Sequence, residues 1–127
     1  MASNSRMQGG IGVGYAVSHF MSKEIPVFVP MGDYPDYDLV VDMGGLKKVQ
    51  VRTSGFLNAR GKYGVNMRVF GGNAKGNRLH RSGVDMIYDY LFVYLLNGDK
   101  YLIPKEDIAH IKNQLVISSK HDKYKIG

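Results

Sequence analysis

The sequence predicts an α+β fold, a mixed α/β arrangement in which a central, mostly antiparallel or mixed sheet is flanked by helices. Three observations predict it: an early segment has the apolar spacing of a helix, short β-branched or aromatic runs follow, and glycine turns join some of these runs. A helix, a series of strands and a second helix in that order are typical of this class. The chain has 127 residues, 44% of them hydrophobic, so we expect one core and a single domain over residues 1–127.

The first half of the chain is predicted to contain a helix and three strands. Ile11 to Ser22 places its apolar side chains on one helical face. A short strand bounded by prolines follows from Pro26 to Pro30. Tyr37 to Asp42 and Leu46 to Arg52 are joined by Met43-Gly44-Gly45, which together are typical of a β-hairpin.

The second half is predicted to contain a fourth strand, a polar loop, a second hairpin and a short helix. The fourth strand runs from Gly64 to Phe70, and the polar loop runs from Gly71 to Gly83. In the second hairpin, strands on either side of the favoured turn Asn97-Gly98-Asp99 pair with each other. The strands of that hairpin run from Tyr88 to Leu96 and from Lys100 to Ile103. A helix started by Pro104 is predicted from Lys105 to Asn113. A last strand from Leu115 to Ile117 and a basic tail from Lys120 to Lys125 complete the prediction.

The charge of the chain favours an anionic partner. Seventeen Lys and Arg against eleven Asp and Glu give a net charge of +6, and nucleic acid fits this balance best. The absence of cysteine excludes a disulfide framework and a thiolate zinc finger. No segment approaches the roughly 20 apolar residues that span a bilayer, and the first residues lack the apolar run of a signal peptide, so we expect a cytoplasmic protein without a membrane partner.

The basic residues concentrate in the middle of the chain. From Met43 to Val84 there are nine Lys or Arg and no Asp or Glu. Such a run is also typical of a merely solvated face, but its length and the interleaved Tyr63 and Phe70 favour contact with DNA phosphates. The predicted DNA-binding residues are Lys47, Lys48, Arg60, Lys62, Arg68, Asn73, Lys75, Arg78 and Arg81.

The first hairpin contains a candidate catalytic group. Metal-dependent hydrolysis of a phosphodiester needs oxygen ligands at one place and a cation near the phosphate. Gln50 and Arg52 lie two apart on one strand and therefore share a face, and Asp38 at the start of the partner strand meets them if the register is right. The residues alone leave an alternative, in which Asp38 caps a turn, Gln50 faces water and Arg52 contacts a phosphate.

Several further segments accompany this hairpin in a fixed order. Before it come Gly10-Ile11-Gly12 with Ala16 and Phe20, and Val27 to Pro30; after it come Lys62-Tyr63 with Arg68, Gly71, Gly72 and Asn73, then Asp89 to Tyr94, Tyr101 to Pro104 and Lys123-Tyr124-Lys125. Together with Tyr37 to Asp42 and Val49 to Ser54, this ordered set resembles the group I intron homing endonucleases of the PD-(D/E)XK nuclease class. The hairpin strands are similar to that family's aspartate strand and Gln-Val-Lys-Thr strand, and the resemblance spans Gly10 to the C-terminus.

The resemblance implies a restriction-endonuclease-like core and site-specific, Mg²⁺-dependent cleavage of double-stranded DNA in a bacterial or phage-infected bacterial cell. It implies that Asp38 is the main magnesium ligand, that Gln50 and the Val51 carbonyl complete the metal shell, and that Arg52 polarises the scissile phosphate. A protomer of this size reads few base pairs, so we expect a homo-oligomer, a dimer or tetramer. No nucleotide cofactor is expected, because no strand precedes the glycines at Gly10 to Gly14.

Two positions depart from the pattern of the family. Val13 stands where the family has a helix glutamate, and Arg52 stands where it has the motif lysine. Valine binds no metal, and arginine stays charged but is a poorer general base than lysine. Two further functions therefore stay open: a catalytically degenerate relative that binds DNA or inhibits a DNA-acting partner without cleavage, and a structure-selective nuclease that acts on junctions or flaps.

Overall fold

A computed structural model of the chain describes residues 2–32, 34, 36–67, 69–72, 78–81 and 87–127, with the main chain alone at 2–6, 69–72 and 78–81. Its elements in chain order are α1 (Ala2–Ser22), β1 (Val27–Phe28), β2 (Leu39–Asp42), β3 (Leu46–Ser54), β4 (Gly64–Asn66), β5 (Val69–Gly72), β6 (Arg78–Arg81), β7 (Tyr90–Leu95), β8 (Lys100–Pro104), β9 (Gln114–Val116) and β10 (Lys125–Ile126). Two 3₁₀ segments, Lys105–Asp107 and Ser119–Tyr124, complete the set.

Six strands form the central sheet in the order β1, β2, β3, β7, β8, β10. The pairing of β3 with β7 is parallel and the other four pairings are antiparallel. The predicted mixed, mostly antiparallel sheet is therefore confirmed. Two small antiparallel ribbons, β4 with β9 and β5 with β6, accompany this sheet. Within the described ranges, no helix is both long enough and apolar enough to cross a membrane.

Each face of the sheet buries its own apolar cluster. Ala16 and Phe20 of α1 pack against Val49 and Val51 on one face. On the other face, Leu91, Val93 and Ile103 pack with side chains of the ribbon β4–β9 and of the segment between β8 and β9. Alternation along the strands separates the two clusters, since successive side chains point to opposite faces. One face is thus covered by helix α1 and the other by a ribbon and tight turns. The sequence predicted helices on both sides of the sheet, and the structure has a helix on one side.

Helix α1 starts at Ala2, earlier than the predicted start at Ile11. Gly12 lies so close to β3 that a Cβ there would collide with Thr53 Oγ1 and lie 3.3 Å from Val51 Cγ1. Tertiary packing against the sheet therefore offsets the low helix propensity of glycine in this segment.

The predicted helix over Lys105 to Asn113 is wrong. A 3₁₀ segment at Lys105–Asp107 is followed by tight turns. The N–H of Ile108 donates to the carbonyl of Lys105 over 2.9 Å, and the N–H of Ile111 donates to that of Ile108 over 3.0 Å. Apolar residues three apart fit successive three-residue turns as well as an α-helix, and the spacing alone does not separate the two.

Both predicted hairpins are confirmed, but the region between them differs from the prediction. The predicted strand from Gly64 to Phe70 divides into β4 and β5, which pair with different partners, β9 and β6. Residues Arg78–Arg81, predicted as part of a polar loop, form β6. The predicted basic tail lies largely within a 3₁₀ helix, Ser119–Tyr124. The last predicted strand is present as β9, one residue earlier than expected.

Candidate active site

Asp38 immediately precedes β2 and lies beside β3 at the end of the first hairpin. The register of β2 with β3 ends at the pair Leu39–Val49, and Asp38 and Gln50 are the next residues beyond it. The N–H of Asp38 donates to the carbonyl of Val49 over 2.8 Å, and the Asp38 carboxylate accepts a 2.8 Å hydrogen bond from the N–H of Val51. The structure thus places Asp38 against the main chain on either side of Gln50, at Val49 and Val51.

Gln50 and Arg52 point away from α1. Val49 and Val51 belong to the apolar cluster beneath the helix, and the side chains between and after them point to the opposite face. Gln50 is only 5% exposed, and its Oε1 atom has no hydrogen-bond partner among the described residues. A buried carbonyl oxygen without a donor is costly, so Gln50 is poised to accept a ligand.

Arg52 lies in a partly closed environment beside Asp38. Burial lowers the pKa of the Arg52 guanidinium, whereas the nearby Asp38 carboxylate and Tyr88 phenol act to raise it. Burial also raises the pKa of Tyr88 to about 12, against the opposing effect of Arg52. Tyr88 is therefore a neutral phenol near the guanidinium over the physiological pH range.

Tyr88 is a site neighbour that the sequence does not reveal. It precedes β7 and packs among the apolar residues on the Arg52 side of the sheet, with Lys105 Nζ 5.1 Å from the centre of its ring. In the sequence it reads only as the start of an alternating aromatic run. Its position near Arg52 depends on the parallel pairing of β3 with β7, for which no local pattern exists.

Val13 contributes to the core under α1. It is half-buried and packs against the apolar cluster that includes Val49 and Val51. The position of the helix glutamate in the resembled family is thus an apolar packing position in this chain.

The predicted DNA-binding residues fall into three sets. Lys48 shares the face of Gln50 and Arg52, and its Nζ lies 5.1 Å from the centre of the Tyr37 ring. Lys47 is its neighbour on β3 and points to the opposite face. Exposed Arg60 and Lys62 occupy a loop whose main-chain N–H groups donate to the Asn58 side chain. The remaining residues, Arg68, Asn73 and Lys75, and the side chains of Arg78 and Arg81 on β6, lie outside the described part of the structure.

Comparison with known proteins identifies the family that has this fold. A family model described as PD-(D/E)XK endonuclease matches residues 3–125, which is nearly the whole chain. The chain belongs to the PD-(D/E)XK endonuclease family. As a PD-(D/E)XK endonuclease it has the expected mixed sheet with a helix on one face, which confirms the predicted fold and nuclease class.

A solved structure of a bacterial homing endonuclease, I-Ssp6803I, is similar to this PD-(D/E)XK endonuclease along most of both chains. The TM-score is 0.73 and the sequence identity is 25%, over 94% of this chain and 81% of the other. No curated protein sequence matches the chain. At the motif position where the family resemblance predicts lysine, this chain has Arg52.

PD-(D/E)XK nucleases generally depend on a divalent metal, and the oxygen atoms around Asp38 fit one. Asp38 offers a carboxylate and Gln50 an unpartnered amide oxygen. The N–H and C=O of a strand residue point to the same side, so the Val51 carbonyl also faces Asp38. Among the described residues, no group of three or more His, Cys, Asp or Glu could hold a metal. A cation here would therefore be held by one carboxylate, neutral oxygens and water, a set that suits a divalent cation with oxygen ligands.

Proposed function

We propose that this PD-(D/E)XK family member is a site-specific, Mg²⁺-dependent homing-type endonuclease that hydrolyses phosphodiester bonds in double-stranded DNA. The observation that carries the proposal is the Asp38 carboxylate bound to the main chain of Val51, next to Gln50, whose buried amide oxygen lacks a partner among the described residues. The net charge of +6 supports DNA as the substrate. We further propose that residues 1–127 form one nuclease domain that acts in the cytoplasm of a bacterial or phage-infected bacterial cell.

Each residue of the site is proposed to have its own role. Asp38, Gln50 and the Val51 carbonyl hold Mg²⁺, which when bound supplies a Lewis acid at the scissile phosphate. The Asp38 carboxylate is oriented for this by the Val51 N–H. Arg52 remains protonated, donates to a non-bridging phosphate oxygen and offsets the charge that develops on the phosphorane. Lys48, on the same face, holds a flanking phosphate.

The remaining predicted cations are proposed to contact the DNA backbone away from the cut. Arg60 and Lys62 are exposed on a loop ordered by Asn58, which suits them to phosphate contact. Cleavage of both strands at a long site needs at least two copies of a protomer this small. We therefore propose a homo-oligomer, a dimer or tetramer, whose twofold axis coincides with that of the target.

A library experiment tests site-specific cleavage. The purified protein is incubated with a randomised duplex library and Mg²⁺, and the ends of all products are sequenced, with EDTA as the metal-free control. The proposal predicts cuts within one related set of sequences, only when the metal is present. Cleavage at unrelated sequences, or equal cleavage in EDTA, would contradict it.

A catalytically degenerate DNA-binding protein is the second candidate. Two observations favour it: Val13 packs in the core where the resembled family has a glutamate, and Arg52 places a positive charge beside Asp38, which weakens the attraction of that carboxylate for a cation. In the same experiment this candidate predicts salt-sensitive binding of duplex DNA without any cut product.

A further inference from the structure

A groove of about 620 Å³ lies at the carboxyl end of β3, beyond the candidate catalytic residues. Its polar side chains are three amides, Gln8, Asn66 and Gln114, and the hydroxyls of Thr53 and Ser54, and its apolar side chains include Phe56 and Leu96. Of the side chains that the structure describes, none that lines the groove is charged. The lining therefore suits a neutral, flat ligand with both donors and acceptors rather than a phosphate.

Two of the three amides, Asn66 and Gln114, are held side by side on the ribbon β4–β9. Asn66 and Gln114 are direct partners in its register, so their side chains share one face. Gly64 provides the space for Gln114, since a Cβ there would lie 2.7 Å from Gln114 Nε2 and 3.3 Å from Phe56 Cδ2. Any larger residue at this position would displace the amide from its place in the groove.

A basic loop begins and ends at the same groove. It runs from Phe56 to Gly64, and the N–H of Gly64 donates to the carbonyl of Phe56 over 3.0 Å. Arg60 and Lys62 are exposed on this loop. In DNA recognition, phosphate contacts position the protein and base contacts specify the sequence. The cations of the loop suit the first kind of contact, and the neutral amide groove beside them suits the second.

We propose that this groove binds the edge of a base in duplex DNA and that Gln114 and Asn66 are the residues that read it. An amide side chain pairs in a bidentate manner with adenine, donating to N7 and accepting from N6. Phe56, which is 58% exposed, provides an apolar contact at the edge of the base pair. The proposal rests on DNA binding by the proposed nuclease and adds the place where sequence is read.

The distance from the candidate catalytic site limits which base is read. Ser54 lines the groove and lies two residues after Arg52 on β3, which is about 7 Å along an extended strand. Base pairs are stacked about 3.4 Å apart. The base read by the groove should therefore lie within a few base pairs of the cut.

The test compares sequence selection by wild type and variants on a randomised duplex library in EDTA, where no cleavage occurs. Gln114→Ala should lose the preference for one or two adjacent base pairs and bind the wild-type target roughly 5- to 150-fold more weakly, the range for one bidentate contact. Binding to random duplex should be unchanged. Gly64→Ala, which keeps the amide but displaces it, should show the same loss.

Asn113→Ala is the matched control, because it removes an exposed amide next to Gln114 that does not line the groove. It should select the wild-type sequence. Unchanged selection by both Gln114→Ala and Gly64→Ala would overturn the inference, as would an equal loss of affinity for target and random duplex. A wild-type protein that selects no sequence would instead contradict the proposed site-specific function.

Discussion

The carboxylate of Asp38 accepts a hydrogen bond from the main-chain N–H of Val51, and the two atoms lie 2.8 Å apart. This side-chain hydrogen bond lies just beyond Leu39, the first residue of β2. It fixes the carboxylate beside β3 at the point where the pairing of β2 with β3 ends. Gln50 precedes Val51 in β3, and Arg52, which follows it, interacts electrostatically with Asp38, so the end of the hairpin combines oxygen atoms with a cation.

Replacement of Arg52 by lysine tests whether the site is adapted to arginine. Arg52 interacts electrostatically with Asp38 and Tyr88, and lysine lacks the planar, multidentate guanidinium that can bind a phosphate through two nitrogens. We expect Arg52→Lys to lower the cleavage rate by roughly tenfold. The effect is smaller than the roughly 10²- to 10³-fold loss of rate on removal of a hydrogen-bond donor to the transition state, because lysine keeps the charge. Single-turnover cleavage of the selected target measures it, with Arg60→Lys as control. A higher rate would show that the lysine chemistry of the family still operates.

Gly12 is predicted to be essential for the packing of α1 on β3. A Cβ at this position would collide with Thr53 Oγ1, so Gly12→Ala should lower the free energy of unfolding by about 1–3 kcal/mol. Gly14→Ala is the control, because no atom lies within 4 Å of its added Cβ, and it should be neutral or stabilising by up to about 1 kcal/mol. Urea denaturation measures both. Equal effects at the two positions would contradict the described approach of helix and sheet.

The local parts of the fold follow from the sequence, as the first hairpin illustrates. Gly44 and Gly98 have φ values of +77° and +99°, which glycine adopts without strain, and each lies in a turn that the sequence predicts. The alternating pattern after the first turn then fixes the register, and with it the position of Asp38 at the end of the hairpin, beside Val51.

The parts that the sequence does not predict depend on distant contacts. The parallel pairing that aligns Gln50 with Leu91 joins segments about forty residues apart and has no local signal. It also places Tyr88 near Arg52. The helix predicted after Pro104 is wrong for the same reason, since distant contacts decide the conformation of this segment. Ile108 is buried in the core, and tight turns bury it as well as a helix would.

His121 is predicted to make stability dependent on pH. The N–H of Ser118 donates to His121 Nδ1 over 3.0 Å, which requires an unprotonated nitrogen. Burial and then Lys120 lower the pKa of His121 below its ordinary value of 6.5. The stability from neutral His121 is present above pH 6.5 and is lost as the pH falls through the lowered pKa of the folded state.

The free energy of unfolding of the wild type should therefore decrease between pH 7.5 and pH 5 more steeply than that of His121→Gln. Urea titrations across this range measure the slope. His110→Gln, at an exposed position, should keep the wild-type slope. Identical slopes for wild type and His121→Gln would contradict the prediction.

The exposed cations of the loop after Phe56 should contribute affinity without sequence preference. Arg60→Ala combined with Lys62→Ala should weaken binding to all duplexes alike and reduce the slope of log affinity against log salt by about two. Fluorescence anisotropy at several salt concentrations measures this slope, and Lys112→Ala on another surface segment is the control. An unchanged slope would show that the loop does not touch phosphates.

Cleavage of the selected duplex by Asp38→Ala tests the central claim most directly, with Asp42→Ala, at the other end of β2, as the matched control. In Mg²⁺, the cleavage rate of Asp38→Ala should fall by a factor of at least about 10², whereas Asp42→Ala should cut at the wild-type rate. In EDTA, Asp38→Ala should bind the duplex as tightly as wild type. Cleavage by Asp38→Ala at the wild-type rate would contradict the assignment of this hairpin as the catalytic site.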